Sequence, residues 1–156
     1  AHLGRFQVEG EADHRIAAEA MERVGVAPLA EPNIVSLSGG ERQMVFVAKA
    51  LAQQPHVLLL DEPVSALDIR HQLHVVSLVR AGTQRGVTAV AVLHDLNLAA
   101  RFCDRVYMMA GGRVVAHGSP SEVYTEEVLA RTYGVRVVVR HDEVVDSPTV
   151  TALDDA

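Results

Sequence analysis

At 156 residues the chain is long enough for a domain with its own core, and 49% apolar residues make it globular rather than disordered. Its net charge of −6, with the basic residues scattered, argues against a nucleic-acid partner, which would call for a basic stripe. The single cysteine, Cys103, excludes an internal disulfide and fits a reducing compartment. With no apolar run of roughly 18 residues and no signal-peptide pattern, the chain is expected to be soluble by itself yet able to dock on a membrane protein.

Residues 11–24 carry Ile16, Ala17, Ala20, Met21 and Val24 at helical spacing, with Gly25 as the stop. Residues 26–36 read as a loop. A second helix is predicted from about Gly39 to Gln54, ended by Pro55, with Met44, Val47, Ala48 and Leu51 on one face. The run 56–61, "HVLLLD", suits a strand buried on both faces. A helix over 69–84, a second buried strand over 87–94 and a short helix over 95–104 follow. Residues 105–118 read as a hairpin around Gly111-Gly112. Residues 119–134 hold two short helices, and 135–145 a late strand that is able to turn back on itself. The polar tail from Asp146 is expected to fray. Helix and strand alternation of this kind predicts an α/β domain with a parallel sheet, whose ligands sit at the carboxyl ends of the strands. Asp61 and His94 fall at two such ends.

Ser38 and Glu41 have the spacing of a capping box, which by itself needs no ligand. It leaves Gly39 and Gly40 unexplained, because each glycine costs about 1 kcal/mol of helix propensity relative to alanine. Bare amides and a serine hydroxyl at a helix start form an anion site, and phosphate is the natural anion. "HVLLLDEP" ends a buried strand in two carboxylates, and Pro63 breaks the chain at once. "SALD", residues 65–68, is an ordinary turn in which Asp68 can cap the next helix. His71 and His74 share a helical face, and His141 precedes two acids, but neither group brings a third metal ligand at a recognisable spacing.

"LSGGERQ" at 37–43, "HVLLLDEP" at 56–63, "SALD" and "VLHDLNLAARFCDRV" at 92–106 together resemble the ATP-binding cassette (ABC) ATPases over about residues 4–150. "LDIRHQL", "MAGGRVVAHGSPSEV" and "YGVRVVV" are most similar to the importer ATPases for ferric siderophores, ferric citrate, haem and vitamin B12. The resemblance implies a P-loop (RecA-like) α/β core with a parallel sheet, part of a helical subdomain and a C-terminal β-hairpin. It assigns residues 1–36 to the helical subdomain, 37–134 to the signature helix and the ATPase core, and 135–156 to a C-terminal strand and polar tail.

The implied cofactors are ATP and Mg2+. By resemblance Asp61 is the Walker B aspartate that holds the metal, Glu62 orients and deprotonates the attacking water, and His94 contacts the γ-phosphate. Ser38, Gly39, Gly40 and Glu41 are the signature that caps a nucleotide bound by a partner, and Ser65 and Asp68 belong to the D-loop between the two sites. The implied partners are a second ATPase subunit in a head-to-tail dimer, transmembrane permease subunits and, indirectly, a substrate-binding protein, all at the cytoplasmic face of the inner membrane.

The sequence departs from the family in holding no Gly-Lys-Ser/Thr loop; its sole lysine is Lys49, and Gln7 lies too near the first helix to serve as the Q-loop residue. It therefore reads as the C-terminal part of a cassette, expected to be inactive alone. The alternative is a naturally truncated, non-catalytic cassette that lends its signature to an intact ATPase.

Overall fold

The computed structural model describes residues 10–154, so Gln7 lies outside the described residues. These residues fall into two compact units, divided between Val92 and Leu93.

In the first unit, helix α1 (Glu11–Val24) ends at Gly25, whose left-handed φ of 82° lets the chain reverse. Val26 then donates back to the Met21 carbonyl at 2.9 Å. The expected loop contains two short 3-10 turns, Ala27–Leu29 and Ile34–Ser36. Helix α2 (Gly39–Ala52) packs along α1 and buries Met44, Val47 and Ala48 as its sequence predicts, with Ala52 completing the face in place of Leu51, which is only half-buried. Strand β1 (Val57–Asp61), helix α3 (Ile69–Thr83) and strand β2 (Thr88–Val92) complete the unit. β1 and β2 pair in parallel, with Val57 opposite Thr88 and Asp61 opposite Val92.

The two strands are not buried on both faces, as their apolar runs lead one to expect. Leu58 is buried, but Leu59 is 74% exposed, and Val57, Val90 and Val92 are more than half exposed. Directly paired residues share a face of a sheet, so Val57, Leu59, Val90 and Val92 form one apolar surface that also carries Asp61. Among the described residues that face lacks a covering layer.

The second unit starts with helix α4 (Leu96–Phe102), capped by Asp95, whose carboxylate accepts from Leu98 N at 2.9 Å. Strands β3 (Val106–Ala110) and β4 (Arg113–Gly118) form the expected hairpin. Gly111 and Gly112 both have positive φ, 55° and 72°, the conformation a two-residue hairpin turn requires. Helices α5 (Pro120–Val123) and α6 (Glu126–Tyr133) close over the hairpin, with Leu129 fully buried among Ala99, Val106, Met108 and Val123.

Strand β5 (Val137–Asp142) pairs antiparallel with β6 (Ser147–Ala152). This corrects the expectation that the tail frays. The chain reverses over residues 143–146, where Val144 N donates to Asp142 Oδ1 at 2.8 Å and Asp146 takes a φ of 49°. Pro148 and the threonines hide the strand pattern in the sequence, yet Ser147 and Pro148 are buried. The Asn97 side chain grips β6 from α4: its Oδ1 accepts from Val150 N at 2.7 Å and its Nδ2 donates to Val150 O at 3.3 Å.

The bare face of β1 and β2 predicts concentration-dependent self-association of the chain. Sedimentation velocity should show it, and Leu59→Lys combined with Val90→Lys should suppress it. A monodisperse parent chain with a sharp, reversible unfolding transition would contradict the prediction.

Candidate functional site

The start of α2 is built by reciprocal hydrogen bonds. Glu41 N donates to Ser38 Oγ at 3.3 Å, while Ser38 N and Ser38 Oγ donate to Glu41 Oε2 at 2.9 and 2.7 Å. The Arg42 guanidinium donates to the carbonyls of Val35 and Leu37 at 3.4 and 3.1 Å and so ties the preceding turn to the same helix end. Hydrogen bonds from the Ser38 side chain and backbone hold the Glu41 carboxyl below its ordinary pKa of 4.5. Gly39 and Gly40 are the first two residues of the helix, so their amides have no intrahelical acceptor.

The two glycines have different reasons to be there. A Cβ on Gly40 would sit 3.2 Å from the Ala66 carbonyl oxygen, tighter than ordinary contact, so glycine there eases the close approach of the 65–68 loop. A Cβ on Gly39 would meet nothing within 4 Å, so packing inside the chain does not require glycine there. An open cradle of this kind admits a ligand to the backbone and fits a phosphate group.

A cleft of about 570 Å3 brings Ser38, Gly40 and Glu41 together with Asp68 and His71. Asp68 caps α3 through Oδ1, which accepts from His71 N at 2.9 Å and lies 2.8 Å from His71 Nδ1. The backbone and side-chain hydrogen bonds from His71 hold the Asp68 carboxyl below its usual range. Asp61 ends β1 and lines a separate groove of about 270 Å3 with Gln43 and Phe46 of α2. Its exposed carboxylate is of the oxygen-donor type that Mg2+ takes.

Glu62 follows Asp61 with a φ of 46°, a left-handed conformation that costs a non-glycine residue of order 1 kcal/mol. Its N–H donates to Val92 O at 3.2 Å, which links the strand ends. Its carbonyl accepts from Ser65 Oγ at 3.2 Å and Gln43 Nε2 at 3.4 Å. The expected site residues of the first unit thus occupy two clefts and the turn between β1 and α3. His94 is exposed at the bend before α4 and is carried by the second unit.

Sequence reasoning missed three contacts. His71 partners Asp68, His74 Nε2 lies 3.1 Å from the Arg23 carbonyl, and Gln43 reaches Glu62. Only Gln43 had a signal, its place at the end of "LSGGERQ". Among the described residues no group of three or more His, Cys, Asp or Glu side chains converges on a possible metal position.

The glycine geometry predicts opposite effects of two like substitutions. Gly39→Ala should leave stability unchanged or raise it by up to about 1 kcal/mol, whereas Gly40→Ala should lower it by about 1–3 kcal/mol through overpacking. Urea denaturation checks the order. Glu41 sets a pH dependence as well. Its folded pKa lies below its unfolded one, so its contribution is present above the unfolded value and is lost as pH falls through the folded one. Glu41→Gln should therefore flatten the acid limb of a melting-temperature profile below about pH 5.

Comparison with known proteins converges on one family. The ABC transporter family profile matches residues 2–65. The cobalamin import ATP-binding protein BtuD of Halobacterium salinarum is 43% identical over 99% of this chain and 38% of its own length. The ferric enterobactin transport ATP-binding protein FepC of Escherichia coli is 39% identical over 90% of this chain and 52% of its own length. The hemin import ATP-binding protein HmuV of Gloeobacter violaceus is 41% identical over 96% and 57%. The chain thus spans about half the length of the curated relatives it matches. An inward-facing structure of a metal-chelate type ABC transporter superposes with a TM-score of 0.85 at 25% identity, covering 98% of this chain and 62% of that one. A dimeric post-hydrolysis ATP-binding cassette bound to ADP and Pi superposes at 0.68 with 31% identity, covering 75% and 51%. The expected α/β cassette fold is thereby borne out, and the chain belongs to the ABC transporter ATPase family.

Proposed function

We propose that the chain supplies the signature helix and the hydrolytic carboxylates of the ATP-hydrolysing subunit of an ABC importer. The observation that carries this reading is the start of α2, where Gly39 leaves an open cradle beside two amides without intrahelical partners. In this reading Ser38, Gly39 and Gly40 bind the γ-phosphate of a nucleotide held by a second ATPase subunit, and Glu41 keeps the Ser38 end of the helix in place. Ser65 and Asp68 sit in the loop that follows the carboxylates, and Gly40 ties that loop to the signature. Asp61 is the residue that would hold Mg2+, which supplies neutralisation of phosphate charge when bound. Glu62 accepts the proton of the attacking water, and His94 contacts the γ-phosphate.

The similarity to importer ATPases for cobalamin, ferric enterobactin and haem supports iron(III)-siderophore or a related chelate as the cargo class. Permease subunits at the cytoplasmic face of the inner membrane would take up the work, with a substrate-binding protein delivering cargo. The segments assigned by resemblance keep their roles here: 1–36 helical subdomain, 37–134 signature helix and core, 135–156 C-terminal extension.

The test is ATP hydrolysis by the transporter purified from membranes through a tag on this chain. Glu62→Gln should lower turnover by roughly a hundredfold or more, the scale of a lost general base. Full turnover in both the Glu62→Gln and the Gly39→Ala variants would overturn this reading.

A further inference from the structure

We propose that Gln43 and Gln72 are positioning residues that hold the backbone of Glu62 to Val64 in the conformation from which the Glu62 carboxylate acts. The proposal rests on the reading of Glu62 as the base. Two constraints collide at this residue. Its φ of 46° places it in the left-handed region, and Pro63 follows it, which biases the preceding residue toward extended conformations. A residue so placed relaxes unless its surroundings over-determine it.

The turn's own hydrogen bonds are modest. Ser65 N donates to Glu62 O at 3.3 Å and Leu67 N donates to Val64 O at 3.1 Å. Ser65 Oγ adds a donor to Glu62 O at 3.2 Å, and each of those carbonyls receives a further donor from a different helix. Gln43 Nε2, on α2, donates to Glu62 O at 3.4 Å, and Gln72 Nε2, on α3, donates to Val64 O at 3.2 Å. Both bonds are partly buried, so water competes weakly for them. Two side-chain amides, from two helices, thus anchor the carbonyl of the strained Glu62 and that of Val64 two residues on. Gln43 also lines the groove beside Asp61, so the same helix addresses both carboxylate positions.

The experiment uses isotope-labelled full chain carrying Gln43→Met or Gln72→Met, which keep length and bulk but remove the donor. Gln43→Glu removes the donor while keeping polarity and serves if the Met variant fails to fold. The readouts are the three-bond amide–Hα coupling of Glu62 and hydrogen exchange at Ser65 and Leu67. We expect the left-handed coupling to be lost and exchange to rise about tenfold, at Ser65 for Gln43 variants and at Leu67 for Gln72 variants. In the purified transporter the same variants should lower kcat by roughly tenfold to a hundredfold with the KM for ATP unchanged. Retention of the coupling in all variants would overturn the proposal. So would a changed coupling with kcat unmoved. Glu62→Gln with full turnover would instead overturn the reading of Glu62 as the base, and the coupling data would still decide whether the glutamines hold the turn.

Discussion

The exchange of hydrogen bonds between Ser38 and Glu41 fixes where α2 begins, and the first unit is organised around that point. Once the helix starts at Gly39, its apolar face meets α1 and its polar flank reaches the strand ends. Arg42 binds the incoming turn to the same place, and Gly40 lets the loop after β1 come within contact distance. A slip of one residue in the start would rotate the helix by about 100°. Met44 and Val47 would then leave the core, and Gln43 would lose Glu62. A local electrostatic device therefore sets both the packing and the candidate chemistry.

Much of the fold is legible in the sequence because the elements in question obey one rule each. Ala20, Met21 and Val24 repeat at helical spacing and end at Gly25, so α1 is readable to the residue. Gly111-Gly112 marks the β3–β4 turn because the positive φ values there disfavour other residues. β6 is not legible, since Pro148 and three polar residues disguise a strand whose partner is set by the turn at 143–146. Nor is the bare face of β1 legible. "VLLL" records only that the strand is apolar, and the number of covering layers is a tertiary matter.

The candidate site divides along the same line. The spacing of Ser38, Gly39, Gly40 and Glu41 announces the cap and the cradle, and Asp61-Glu62-Pro63 announces a strand end with two acids. What spacing cannot show is that the two glycines differ, one crowded by Ala66 and the other by nothing in the chain. It equally hides the left-handed turn at Glu62, because a glutamate before a proline gives no hint of positive φ. Strain is a property of the assembled surroundings, so it becomes readable only with coordinates.

The grip of Asn97 on Val150 has a consequence for how the second unit meets other chains. A side-chain amide offers one donor and one acceptor, the same pair a neighbouring strand would present, and here it occupies both backbone groups of a residue on β6. The helix thus impersonates a strand for the length of one residue. An intruding β-segment seeking to extend this sheet finds its ladder already interrupted at Val150, a form of edge protection that needs neither charge nor proline. The guard is specific to the C-terminal hairpin and works by mimicry.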